Sequence, residues 1–401
     1  MLGKIGQVQP QHIKTFAVMQ CNHMNGGGVA KRVRRQHVVS QFYLKGFATD
    51  ARQIRRTTLP GTHEATLATA DATVNKDFYT IILPDGTKSD AFERAFAELE
   101  TSAAAAFQAA STGTWPLTGQ LRHAVAAWIA LQHLRTEGIR YNQNAHNATM
   151  IRLLVGVSGK EALRQVIQKA ERRVVTDDEL DWEWRDLTKP GGPELIPSAH
   201  EHLQLLISLV DPMTAYLNDA QWSVIRFKRR ALLTSDEPVS LLVRSDYPAW
   251  RGVGIATADA FLLPLNRHMA MLARPRASIP APLRDMPDAT VPGTTQLANT
   301  VNQETALGAR RYLYQHPDDD LLNGLHLPEP RTDGPDPTVG DDFVHEQGFF
   351  HGVDEATLAS LARATGPRDH ARSFSINDLP WPIPGRRVPT SRPSLHPQVA
   401  P

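Results

Sequence analysis

One run of residues limits the possible folds more than any other: Leu121, Val125, Trp128, Gln132, Arg135 and Ile139, at steps of three and four. That spacing puts them on one face of a helix opening at Thr118. The stripe begins apolar, then sets an amide and a guanidinium where leucines would be expected. A buried guanidinium without a partner is costly, so an anion must meet it. Glu100 is the obvious partner. It lies at the edge of the stripe Phe92, Phe96, Leu99, Ala103 and Phe107, carried by a helix that Ser89 can cap. The connection from Gly113 to Leu117 is short, so the two helices are expected to pack antiparallel, with Glu100 meeting Arg135.

Helical and strand-like stretches then separate along the chain. Two sequences of capping-box form, Ser158-Gly-Lys-Glu161 and Ser198-Ala-His-Glu201, precede the apolar repeats Leu163, Val166, Ile167 and Leu203, Leu206, Leu209. A last long helix is expected from Thr295 to Tyr314. Strand character appears over residues 53–59, 74–82, 221–228, 231–243, 261–265 and 269–273. Helices thus fall in the first half of the core and strands mostly in the second. That segregation predicts an α+β fold, with a helical layer on an antiparallel sheet and no alternating βαβ units. The sequence contains no internal repeat.

Residues 31–316 are expected to form this single core domain. Residues 1–30 lack a period and end in Asn25-Gly26-Gly27-Gly28, the composition of a flexible arm, with Met24 as an alternative start. Residues 317–401 read as an acidic and then proline-rich tail, with one short helix over 354–365. Both termini are expected to be disordered.

The formal net charge of +1 conceals two opposed blocks. Residues 31–56 carry eight cations against one anion, and residues 318–355 eleven anions against one cation. The basic stripe can condense on phosphates by releasing counterions, so nucleic acid or another polyanion is a candidate partner; a solvated arm is the plainer reading. Alternatively, the acidic block folds back and screens the basic one. A single cysteine, Cys21, excludes an internal disulfide framework and thiolate-rich zinc sites. The densest apolar run, Leu203 to Val210, is far short of the ~20 residues of a membrane span, and no signal-peptide core is present. A cytoplasmic protein without a membrane partner is expected. Phosphate loop, dinucleotide fingerprint, nucleophile elbow and His-Glu-x-x-His helix are all missing, which argues against a nucleotide cofactor and classical zinc chemistry.

Two further stretches force polar groups into apolar surroundings. In Ala231 to Val243, strand residues flank Thr234, Ser235, Asp236 and Glu237, and Pro238 cannot donate to a ladder. The cluster is therefore a bulge, a bend or an edge. It either aims Asp236 at a site or lets the carboxylate bond its own backbone. In Gln36 to Phe47, Ser40 is placed to cap a short helix whose Tyr43, Leu44 and Phe47 pack inward, with His37 just outside.

Four blocks occur in order: His37-Val-Val-Ser-Gln41-Phe42-Tyr43-Leu44-x-x-Phe47, Lys76-Asp77-Phe78-Tyr79, Leu131-Gln132-x-x-Arg135-Thr136, and Leu233-Thr-Ser-Asp236-x-Pro238-Val239. With Leu262-Leu-Pro264-Leu265 and Asn299-x-x-Asn302, they resemble the bacterial family called Domain of Unknown Function 4238, over about residues 31–316. The resemblance implies the boundaries of the core and supports the choice of polar residues. It implies no chemistry, because the family has no assigned activity.

Two functions from different classes follow. In the first, His37, Glu100, Gln132, Arg135 and Asp236 converge on one polar cavity of a metal-assisted phosphoester or nucleic-acid hydrolase. Asp236 and Glu100 would hold a divalent cation, His37 would act as base and Arg135 would stabilise a phosphoryl oxygen. Tyr43, Tyr79, Arg34 and Arg35 would contact the substrate. In the second, the same polar residues form a buried network that specifies the fold of a non-catalytic binding or regulatory protein.

Overall fold

A computed structural model of the protein describes residues 32–83, 85–248, 252–331, 341–354, 356–357, 375–391 and 393. The proposed N-terminal arm and most of the helix expected over 354–365 lie outside the described residues. The fold is α+β, with eight α-helices and several sheets among the described residues.

The helix pair forms as its stripes require. Ala91–Ser111 buries Phe92, Phe96, Ala103 and Phe107, and Gly119–Leu134 packs beside it. The first helix opens one residue later than the expected Ser89 cap, at Asp90, whose carboxylate accepts the Val33 backbone N–H at 2.7 Å. The second helix is enclosed on more than the expected face. Every residue from Val125 to Leu134 except His133 is buried, because Ala199–Asp219 packs on it as well. A helix covered all round reads apolar on every side, which is why Ala126, Ala127 and Ala130 sit between the larger residues of the stripe.

Two sheets complete this unit. One has five strands in the order 289–292, 221–226, 269–274, 260–266, 240–242, antiparallel except where 289–292 runs parallel to 221–226. The expected all-antiparallel sheet is thus a mixed one at that edge. The other is antiparallel, in the order 63–68, 53–58, 312–315, 234–235. The stretch from Ala231 to Val243 is therefore not one strand. Thr234–Ser235 belongs to the four-stranded sheet and Ser240–Leu242 to the five-stranded one, with the polar cluster at the crossing.

Three expected elements are shorter or interrupted. The helix from Thr295 stops at Gly308, and Tyr312–Gln315 is a strand instead. The Asp236 carboxylate explains the change: it accepts the backbone N–H groups of Arg310, Arg311 and Tyr312 and turns the chain into the sheet. The strand from Val74 breaks at Asp77, which adopts φ 59° and holds Arg32 and Arg34. The box at Ser158 does not form. Ser158 ends the helix Glu137–Ser158, and Gly159, at φ +84°, starts the next, Lys160–Glu171. A Cβ at Gly159 would meet the Gly348 nitrogen at 2.5 Å, so only glycine fits this junction.

The chain divides differently from the expected single body and tail. The described residues within 1–139 and 199–331 form one compact unit, and those within 140–198 and 332–401 the other. In the second unit Leu163, Ile167, Leu180, Trp184 and Leu187 form a core with Ile376, Leu379 and Ile383. Part of the proline-rich tail is thus folded. Its apolar residues are too few and too far apart to register as periodic.

Candidate functional site

Arg135 caps the end of the second helix and is 1% exposed. Its Nη1 donates to Glu100 Oε1 at 2.8 Å, and its Nη2 to Ser40 Oγ at 2.7 Å and Gln132 Oε1 at 3.0 Å. Ser40 joins the rest together. Its hydroxyl donates to Glu100 Oε1 at 2.8 Å and accepts from Trp128 Nε1 at 2.8 Å. The sequence predicts Ser40 as the cap of the one-turn helix Gln41–Leu44, but its hydroxyl is engaged in this network and makes no cap bond there. Gln132 donates to the Val38 carbonyl at 3.0 Å and accepts the Ser40 backbone N–H at 3.2 Å. The guanidinium expected on the stripe is buried and paired, and its partner is the expected Glu100.

His37 and Glu93 stand at the same cluster. The His37 ring bonds the Ala70 carbonyl through Nε2 at 3.2 Å. Burial lowers its pKa, and the Glu100 and Arg135 charges act on it in opposite directions. Burial pushes the Glu93 carboxyl up to about 7, against the pull of the Arg135 cation. Glu93 Oε2 is buried without a hydrogen-bond partner. Four of the five expected residues (His37, Glu100, Gln132 and Arg135) are therefore neighbours.

Asp236 lies in a different cluster. Among the described residues, no hydrogen bond or ion pair joins it to the other four. It lines a cavity of about 160 Å³ with Arg56, Glu137, Glu237, Arg310 and Tyr312, while Val38 and Val39 form part of the wall. Its carboxylate accepts from Arg310 N at 2.9 Å, Arg311 N at 2.8 Å and Tyr312 N at 3.2 Å. Burial pushes its pKa up to about 6 and these three N–H groups hold it down. Beside it, burial pushes Glu237 up to about 7. Glu137 pairs with Arg311 at 2.5 Å, lies 4.0 Å from Arg310, and accepts from Asn75. The Arg56 guanidinium lies over the Tyr312 ring, 4.8 Å from its centroid.

Tyr43 and Tyr79, expected at a binding surface, are enclosed in the core. The Tyr43 hydroxyl bonds Thr234 Oγ1 and the Pro264 carbonyl, both at 2.7 Å, and the Tyr79 hydroxyl donates to the Arg135 carbonyl at 2.9 Å. Their aromatic bodies outweigh their hydroxyls, and a backbone acceptor satisfies each O–H. Arg34 and Arg35 are exposed, and each is paired, with Asp77 at 3.1 Å and with Asp71. The two residues expected to share a metal, Asp236 and Glu100, are in separate clusters. Among the described residues, no group of three or more His, Cys, Asp or Glu side chains is arranged to hold a metal ion.

Sequence reasoning missed Glu93, Arg56, Glu137, Arg310 and Arg311. Glu93 carried a signal: it lies three residues before Phe96 and seven before Glu100, which puts it on the same edge of the helical stripe as Glu100. Arg310-Arg311 offered a signal: two cations closing a helix beside aromatic strand residues.

No helix among the described residues is long and apolar enough to cross a membrane. No curated protein and no solved structure matches the chain significantly. The family model described as "Protein of unknown function (DUF4238)" matches residues 35–319, most of the chain and all of both clusters, and the protein belongs to that family.

Proposed function

We propose that the protein is a non-catalytic binding protein, held in shape by the polar network at the helix pair and taking its ligand in the cavity lined by Asp236. The observation that carries this reading is the commitment of both charged groups a reaction centre would use. Arg135 gives its terminal nitrogens to Glu100, Ser40 and Gln132, and Asp236 gives its oxygens to three backbone N–H groups. A catalytic group must reach the substrate within hydrogen-bond distance, and groups engaged in this way serve the fold first. A cytoplasmic setting belongs to the same reading, since a lone cysteine suits a reducing compartment.

The hydrolase reading retains one favourable observation. Glu93, with a pKa of about 7, stands near Glu100 and a partly exposed His37, a set suited to proton transfer near neutrality. The basic segment supports a polyanion partner less than its charge suggests, because Arg32 and Arg34 share Asp77 and Arg35 pairs with Asp71. The deciding experiment is a nuclease and phosphodiesterase assay with and without divalent cations, on wild type, Asp236→Ala and Arg135→Ala. No metal-dependent turnover is expected. Turnover that Asp236→Ala abolishes in a folded variant would replace the binding reading with the hydrolase.

A further inference from the structure

Of the charged groups around the Asp236 cavity, one stands out by what it lacks. Glu137 is met by Arg311 and Asn75, Asp236 by three backbone N–H groups, and Glu237 by Arg331 at 3.7 Å. Each carboxylate in that set already has a donor or a cation. Arg56 has neither hydrogen bond nor ion pair among the described residues, and its Nε is buried without a partner. Its position is nonetheless well determined. It sits on strand Gln53–Thr58 opposite Tyr314, and its guanidinium lies over the Tyr312 ring. A cation held on an aromatic face keeps its planar N–H fork, which suits an oxyanion in two-point contact.

We propose that this cavity binds a small oxyanion, a phosphate or a short carboxylate, through the guanidinium of Arg56. The inference rests on the binding reading above and names its ligand class. Size supports it: drug-sized ligands occupy pockets of roughly 300–1,000 Å³, whereas this partly open one measures about 160 Å³, a fit for an ion or a short acid. The four carboxylates of the lining would repel an anion if unpaired, but the donors just named offset three of them and Arg35 pairs with the fourth, Asp71. A buried Nε with no acceptor is unfavourable, so a bound oxyanion that reaches this half-buried guanidinium should stabilise the folded chain.

The test is thermal unfolding and calorimetric titration of the full chain with sodium phosphate and, separately, sodium acetate, at ionic strength held constant with chloride. A saturable rise in Tm is expected with at least one ion, and the ion giving the tighter binding identifies the source. Arg56→Gln should weaken that binding at least tenfold. Arg185→Gln, which removes an exposed cation from the other unit, should not. If Arg56→Gln does not fold, Arg56→Lys keeps the charge without the fork and should still weaken binding. Absence of a saturable shift with either ion, or equal shifts in wild type and in the Arg56 variants, overturns the proposal. That outcome leaves the non-catalytic reading standing, whereas metal-dependent phosphodiester cleavage would remove that reading whether or not an oxyanion binds.

Discussion

Two buried arginines, one in each compact unit, solve the same physical problem in different ways. Arg135 is 1% exposed but its carboxylate partner, Glu100, is 24% exposed, and the remaining bonds go to neutral groups on Ser40 and Gln132. The Arg386 side chain is 4% exposed and meets two enclosed carboxylates, Glu183 at 0% and Asp186 at 6%. It also lies between the rings of Trp182 and Trp381. One ion pair thus retains a path to water through its carboxylate, while in the other both carboxylates are enclosed and a half-exposed second cation, Lys189, reaches Asp186 at 2.8 Å. The cost of losing a partner depends on what is left behind, so the two sites should respond unequally to the same substitution.

The largest effect is expected at Arg386. Arg386→Ala removes the cation shared by two enclosed carboxylates, of which Asp186 keeps Lys189, and should cost about 3–5 kcal/mol, a large part of a typical domain's stability. Urea unfolding monitored in the second unit would measure it; a loss below 1 kcal/mol would show that water reaches the pair. Arg135→Ala should cost less, about 2–3 kcal/mol, because Glu100 can be hydrated and Ser40 and Gln132 each lose one bond but keep their others. Arg135→Leu fills the same space without a charge to desolvate and should recover most of that loss, to within about 1 kcal/mol of wild type. A leucine variant as unstable as the alanine variant would mean that the guanidinium's bonds to Ser40 and Gln132 matter more than its desolvation.

The smallest effect is a dependence on pH, and it sharpens the contrast at the Arg135 site. Glu93 is raised from 4.5 to about 7 by burial, so between these values the folded chain keeps a proton that the unfolded chain has released. This contribution to stability is present at low pH, falls as pH rises through that window, and is level above it. Thermal melts from pH 5 to 8 should show a decline to which Asp236 and Glu237 also contribute, and Glu93→Gln should lessen it by about 1 kcal/mol once solvent screening is allowed for. In Arg135→Leu the decline should move to higher pH, because the cation that favours the charged carboxylate is gone. Identical pH profiles for wild type and Glu93→Gln would refute the account.

The contrast also explains what could be read in advance. Arg135 stood out because it occupies a leucine position on a helix of regular period, and Glu100 followed from a short loop between two helices. Both are local arguments, spanning 35 residues. Arg386 sits in a proline-rich stretch without a period, and its partners lie 200 and 203 residues away. No local rule links them. Asp236 falls between these cases: the polar cluster at Thr234–Glu237 marked a bend, and the self-bonding alternative came close, but the N–H groups it binds belong to Arg310, Arg311 and Tyr312. That distant pairing also ended the last helix six residues before its expected limit.

Period and composition therefore determined the helix pair, the ion pair that joins it and the α+β class, because each depends on neighbours in the chain, while the boundaries of the family core came from the resemblance. The tertiary structure decided the rest: that Asp236 stands apart from Arg135, that a folded piece of the tail completes a second core, and that Arg56 lines the Asp236 cavity without an ion pair among the described residues. These outcomes depend on which distant strands pair and which charges then share one low-dielectric space. The energy of such a space is set by its whole lining, and no single segment carries that information.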